Sequence, residues 1–236
     1  MGNYISHFYI MAKITLTKQD ISMPKSIIGF ALDYSGFMQN NFRNGSVQEI
    51  LNTFFKYFES LGYDDFKSWL FNEDYYHLPN ITYLNIDNYV EKVILKNLKY
   101  RAGATRYAPV IKDILNEAMI DDDNMRRLNM RRVWSDALLP HIHFIISDLV
   151  ANDRNYTISA IRAAEHTSNY FVMLGFCNEN DEFIRNVIKE TANMDFVPMN
   201  DPLILRNDKL FPRIISRYAL WVRSEKTQKL LTNCEL

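Results

Sequence analysis

The stretch Ile27-Ile28-Gly29-Phe30-Ala31-Leu32-Asp33-Tyr34-Ser35-Gly36-Phe37-Met38 decides how this chain is to be read. An apolar run long enough for a buried strand stops at Asp33, and a hydroxyl and a glycine follow. A helix-like pattern begins soon after. Asp33 and Ser35 therefore belong at the carboxyl end of a strand, where open α/β sheets bind their ligands. Asp-x-Ser in that place reads as half of a metal-binding loop. A further hydroxyl at position 37 would complete it, and the chain carries Phe37 there.

Outward from this strand (26–33), helical and extended patterns alternate. Ser46 and Glu49 form a capping-box pattern ahead of a helix over 47–60, whose Val47, Ile50, Leu51, Phe54, Phe55 and Phe58 share one side. Lys67 to Phe71 reads as a second strand with Trp69 and Phe71 on one face, and Tyr75 to Pro79 as a short excursion. Asp87 is placed to cap a helix over 88–97. Gly103-Ala104-Thr105 opens another helix over 107–118, with Pro109 tolerated in its first turn.

A charged segment over 120–137 follows, read as an insertion or solvated helical excursion. The clearest parallel-strand candidate is His141 to Asp148. Beyond it come a helix (155–168), a strand (170–176), a helix (181–191), a short strand (195–199) and a terminal helix (208–228). Strands alternating with helices predict an α/β fold, a doubly wound and mostly parallel central sheet with helices on both faces. The expected organisation is an N-terminal extension (1–25), one domain (26–228) and a C-terminal tail (229–236).

The chain has 236 residues with 27 basic and 28 acidic side chains, so no whole-molecule field argues for nucleic acid or an anionic membrane. No apolar run approaches the ~20 residues of a membrane-spanning helix. The segment 1–10 lacks the basic flank and cleavage pattern of a secretory signal, and Met11 offers a second start. Two cysteines, Cys177 and Cys234, are too few for a disulfide framework and fit reduced thiols. A cytoplasmic location is expected.

Three polar loops should meet at the carboxyl edge of the sheet. They carry Asp33 with Ser35, then Thr105, then Asp148 with Asp153 nearby. Each residue alone is commonly a cap or a loop hydrogen bond. Together, two carboxylates and two hydroxyls make an all-oxygen set suited to a hard cation.

The chain resembles the von Willebrand factor A (vWA) family, and within it the branch associated with bacterial tellurium-resistance proteins of the TerF type. The resemblance covers about residues 25–225. It rests on Asp33-Tyr34-Ser35-Gly36-Phe37-Met38, Asn44-Gly45-Ser46-Val47-Gln48, Trp69-Leu70-Phe71-Asn72, His77-Leu78-Pro79-Asn80-Ile81-Thr82, Gly103-Ala104-Thr105-Arg106-Tyr107-Ala108-Pro109-Val110 and Phe144-Ile145-Ile146-Ser147-Asp148, in that order. Each motif is weak by itself; the ordered set is specific. It implies a metal-ion-dependent adhesion site built on Asp-x-Ser-x-Ser with a distant Thr and a distant Asp. Asp33, Ser35, Thr105 and Asp148 match; Phe37 departs at the second Ser. The implied ion is Mg²⁺, with Mn²⁺ or Ca²⁺ as alternatives. A partner protein's Asp or Glu would complete its shell. The implied setting is tellurite or other chemical stress.

Other candidates read more simply. His141 and His143 share a strand face but lie about 15 Å from Asp148, too far for one ion. Asp121-Asp122-Asp123 reads as a solvated face, with Arg126, Arg127, Arg131 and Arg132 neutralising it locally. No Gly-rich phosphate loop or nucleophile elbow is present. The leading expectation is a protein–protein interaction module, not an enzyme. Two alternatives stay open: a degenerate site that docks a partner without metal, and a metal-dependent hydrolase or phosphotransferase using Asp33 and Asp148.

Overall fold

The computed structural model describes residues 22–131, 138–176, 182–199 and 202–232. Cys177, Cys234, the extension up to residue 21, the end of the charged segment (132–137) and the last four residues lie outside these. Six strands form one sheet: β1 (Ile27–Asp33), β2 (Asp65–Phe71), β3 (Tyr75–Thr82), β4 (His141–Ser147), β5 (Asn169–Gly175) and β6 (Met194–Pro198). Their order across the sheet is β3-β2-β1-β4-β5-β6. All neighbours run parallel except β2 and β3.

The continuous apolar runs of β4 and β5 are buried at every position. That is the expected burial of parallel strands covered on both faces. On one face lie helices α1 (Gln39–Arg43), α2 (Ser46–Glu59), α6 (Leu210–Val222) and α7 (Glu225–Thr232), around Phe30, Phe54, Phe58, Phe66 and Phe144. On the other lie α3 (Tyr107–Arg131), α4 (Arg154–Ala164) and α5 (Glu182–Glu190), over Ala31, Trp69, Phe71, Ile145 and Phe171. The fold is α/β with a mostly parallel mixed sheet, as the alternation predicts.

Several elements differ locally from expectation. The excursion at Tyr75–Pro79 is part of a full antiparallel edge strand. Pro79 is tolerated there because an edge strand has a free side, and the ladder is irregular between Phe66 and Ser68. The Pro79 carbonyl accepts from the Ser68 and Tyr89 hydroxyls instead. Helix α2 is entered through Gly45 at φ 86°, not capped by the Ser46 side chain; the Asn44 Oδ1 accepts the Ser46 N–H at 3.0 Å. Residues 86–95 form a 3-10 turn and a short π-helical segment in place of the α-helix over 88–97, without a cap from Asp87. The Gln48 side chain reaches across to the Val90 N–H at 2.8 Å.

Helix α3 runs on to Arg131 instead of stopping near 118. Asp121 points to the sheet, where it and Glu117 bind Lys67 Nζ at 2.7 and 3.0 Å. The terminal helix is two helices, because Ser224 starts a new one: its Oγ accepts the Thr227 N–H at 3.3 Å. Among the described residues, no helix is long and apolar enough to cross a membrane.

Candidate functional site

Strand β1 leads out to β2 on one side, and β4 lies on its other side. The ends of β1 and β4 are thus the point where the winding of the sheet reverses, and loops diverge there to leave a crevice. Asp33 is the last residue of β1, and Asp148 directly follows β4. Ser35 pairs with Gly103 in a parallel bridge, and the Gly36 N–H donates to the Gly103 carbonyl at 3.2 Å. This ties the first loop to the segment carrying Thr105.

All four matched residues are buried, Asp33 completely. Asp33 Oδ1 accepts the Ser35 N–H at 2.9 Å. Its Oδ2 accepts the Ser147 hydroxyl at 2.6 Å and meets the Thr105 hydroxyl at 3.4 Å, long for such a bond. The Asp148 Oδ1 accepts the Val150 N–H at 3.0 Å. The structure therefore gathers Asp33, Ser35 and Thr105 directly, with Asp148 close enough to act on Asp33 by charge.

Burial pushes the Asp33 carboxyl up to about 7, and the Asp148 carboxylate adds to the rise, against the lowering effect of Ser147 and Ser35. The Ser35 Oγ is buried and, although near enough to favour the Asp33 charge, falls short of a hydrogen bond with any group. A buried hydroxyl normally finds a partner. A donor set of two carboxylates and two hydroxyls, with one hydroxyl left over and a carboxylate short of compensating charge, fits a hard divalent cation. Among the described residues, no three His, Cys, Asp or Glu side chains come together as a metal cluster. Any ion here would lean on hydroxyls and water.

Phe37 does not fill the place of the expected hydroxyl. It is 81 % exposed and points away from the buried cluster. A Cβ added at Gly36 before it would meet open space.

Sequence reasoning placed Asp153 near the cluster but missed the other residues that brace the site. Ser147 was visible in principle: Leu32 pairs with Ile146, so Asp33 stands beside Ser147 by register. The Tyr107 hydroxyl bonds Ser147, and the Leu149 N–H donates to the same oxygen at 3.1 Å. Leu149 itself takes φ 65°, a strained value for a branched residue, directly after Asp148. Asn152 Oδ1 accepts the Thr105 N–H at 3.0 Å, while the Asn152 N–H donates to the Thr105 carbonyl at 2.9 Å. Asp153 accepts the Tyr107 and Ala108 N–H groups at 3.1 and 2.9 Å, and the Thr157 hydroxyl at 2.8 Å. It fastens the starts of α3 and α4 to each other. Those pairings depend on tertiary placement, and the sequence carried no signal for them.

His141 and His143 lie at the opposite end of β4, under α3. His143 Nε2 is 3.0 Å from Asn169 Oδ1, and the rings of His141 and His143 stack. Burial holds His141 down to about 4 and His143 well below its usual value. Both are buried packing residues. Asp113 accepts the Trp69 indole N–H at 2.8 Å and faces His77 at 3.0 Å on the same side of the sheet.

A family model described as vWA-TerF-like, the vWA found in the TerF C terminus, matches residues 25–231. The uncharacterized protein YcbR of Bacillus subtilis (strain 168) is 19% identical over 231 residues, covering 94% of this chain and 88% of YcbR. Among solved structures, the TFIIH p34 N-terminal domain superposes with a TM-score of 0.61 at 15% identity, over 82% of this chain and 100% of that one. BatB from Bacteroides thetaiotaomicron, a conserved hypothetical protein, does so with a TM-score of 0.51 at 13% identity, over 84% and 100%. These two likenesses speak for the fold alone.

Proposed function

The chain belongs to the vWA-TerF-like family, and from that premise we propose that it is a protein–protein interaction module whose contact face is the strand-end site. One observation carries the reading. The end of β1, the loop before α3 and the end of β4 deliver Asp33, Ser35, Thr105 and Asp148 to the point where the sheet reverses its winding, and leave the buried Ser35 hydroxyl without a hydrogen bond. Asp33 and Asp148 would hold Mg²⁺ largely through water, and Ser35 and Thr105 would offer hydroxyl oxygens. A bound hard cation supplies a positive centre that a partner's Asp or Glu carboxylate can join. Ser147 keeps Asp33 oriented, and Asn152 keeps Thr105 in register.

The groups hydrogen-bonded to Asp33 are hydroxyls and a backbone amide. None of these partners is itself a general base at neutral pH. The proposed setting is the cytoplasm, under tellurite or related chemical stress; it derives from the family's association.

Calorimetric titration of Mg²⁺ or Mn²⁺ into metal-freed protein tests the reading. Saturable heat that Asp33→Ala abolishes is expected; no heat up to millimolar metal overturns it. A second reading rests on the exposure of Phe37, with Val150 and Tyr156 also exposed in the segment after β4. Here a partner docks on these apolar side chains without any ion. Capture of a partner that survives chelator and Asp33→Ala, but fails with Phe37→Ala, would favour that version.

A further inference from the structure

Between β2 and β3 the chain turns through Asn72-Glu73-Asp74. Because β2 runs parallel to β1, this turn lies at the same edge of the sheet as Asp33. Asn72 fastens it there. Its Nδ2 donates to the Arg101 carbonyl at 2.6 Å, and its own carbonyl accepts the Arg106 N–H at 2.8 Å. The Glu73 side chain is thereby laid across the segment that leads into Thr105.

Two observations place its carboxylate beside Gly103 and Ala104. Glu73 Oε1 accepts the Ala104 N–H at 3.4 Å. A Cβ added at Gly103 would stand 3.4 Å from that same oxygen and from Glu73 Cγ. Gly103 is the residue bridged to Ser35, and its carbonyl holds the Gly36 N–H. Glu73 therefore lies beside the Gly103–Ala104 segment, which is joined through Gly103 to the Ser35-Gly36 loop and leads into Thr105. The buried Ser35 Oγ, without a hydrogen bond, is an independent sign that a ligand belongs beside this loop.

We propose that Glu73, set beside the segment that carries Thr105, provides the site's third negative charge and would hold a water of a bound divalent cation. The inference rests on the metal-binding reading above. The carboxylate acts through water because Glu73 is exposed at the rim and does not join Asp33 and Asp148 as a three-carboxylate cluster. Magnesium suits such an arrangement, since it keeps several waters and takes few protein carboxylates directly. Groups that hold a metal's outer shell commonly change affinity by about tenfold or more when altered.

Glu73→Gln separates charge from scaffold. The amide keeps an oxygen for the Ala104 N–H and loses only the negative charge. Titration of Mn²⁺ into metal-freed wild type, Glu73→Gln and Asp33→Ala is the test, with unfolding temperature in chelator as a second readout. Support is a roughly tenfold weaker Mn²⁺ affinity in Glu73→Gln, no binding in Asp33→Ala, and unchanged unfolding of Glu73→Gln in chelator. Equal affinity of wild type and Glu73→Gln overturns the role of Glu73 and leaves the metal reading standing. Loss of affinity accompanied by a lowered unfolding temperature in chelator also overturns it, because the residue would then act as scaffold. Absence of Mn²⁺ binding by wild type overturns both.

Discussion

The Asp33 carboxyl, pushed up to about 7 by burial and by Asp148, costs the fold stability whenever it must ionise. The direction follows from linkage. Its folded value is above the ordinary 3.8, so the unfolded chain gives up this proton first as pH rises. Asp33's own contribution to stability therefore falls between about pH 4 and pH 7 and levels off above. The full cost is on the order of 4 kcal/mol without a cation. Asp33→Asn, which keeps an acceptor for Ser147, should raise the unfolding temperature in chelator at pH 8. That gain should vanish toward pH 4; a gain independent of pH would sink the assignment. Phe37 makes the opposite kind of prediction. Because it is mostly exposed and turned away from the cluster, Phe37→Ser should leave stability within about 0.5 kcal/mol and leave Mg²⁺ affinity close to that of wild type. Calorimetry with the variant reads both.

At the scale of elements, two helices and a loop share one carboxylate. Asp153 takes two N–H groups from the first turn of α3 and the hydroxyl of Thr157 on α4. Such N–H groups have no partner within their own helix. Asp153→Ala should cost about 2–4 kcal/mol in denaturant unfolding, being a buried cap with several charge-assisted bonds. It should also weaken metal binding, since the Asn152–Thr105 clasp lies next to it. A change under about 0.5 kcal/mol would mean that α3 and α4 are held by their apolar faces alone. The α3 start at Tyr107 was legible from Gly103-Ala104-Thr105. Its continuation to Arg131 was not, because Glu117 and Asp121 look solvated until Lys67 is seen opposite them.

Across the whole molecule, buried histidines and buried Asp33 pull stability in opposite directions with pH. His141 and His143 are held neutral by burial, so the unfolded chain binds their protons and the fold does not. This contribution is fully present above about 6.5 and is lost as pH falls through that value toward His141's value of about 4. Asp33 offsets one of these two protons between about pH 5 and 6.5. Stability should therefore fall with acidification in wild type, and about twice as steeply in Asp33→Asn, near 1.4 kcal/mol per proton per pH unit. Equal slopes in the two proteins would show that Asp33 is already ionised in the fold.

The sequence by itself determined the layers and the face that carries the site. Apolar runs ending at Asp33 and Ser147 state where β1 and β4 stop, and the alternation of helix and strand states that both sheet faces are covered. Those signals are local, so they survive without coordinates. What only the tertiary structure decided is how the residues around the site are joined. The outward turn of Phe37, the Ser147 bond to Asp33, the Asn152–Thr105 clasp and the Glu73 carboxylate over Gly103 join residues far apart in the chain. Their pairing follows from strand order and register, in particular the placement of β4 against β1 and of the β2–β3 turn beside Gly103, and no periodicity in the sequence encodes that placement.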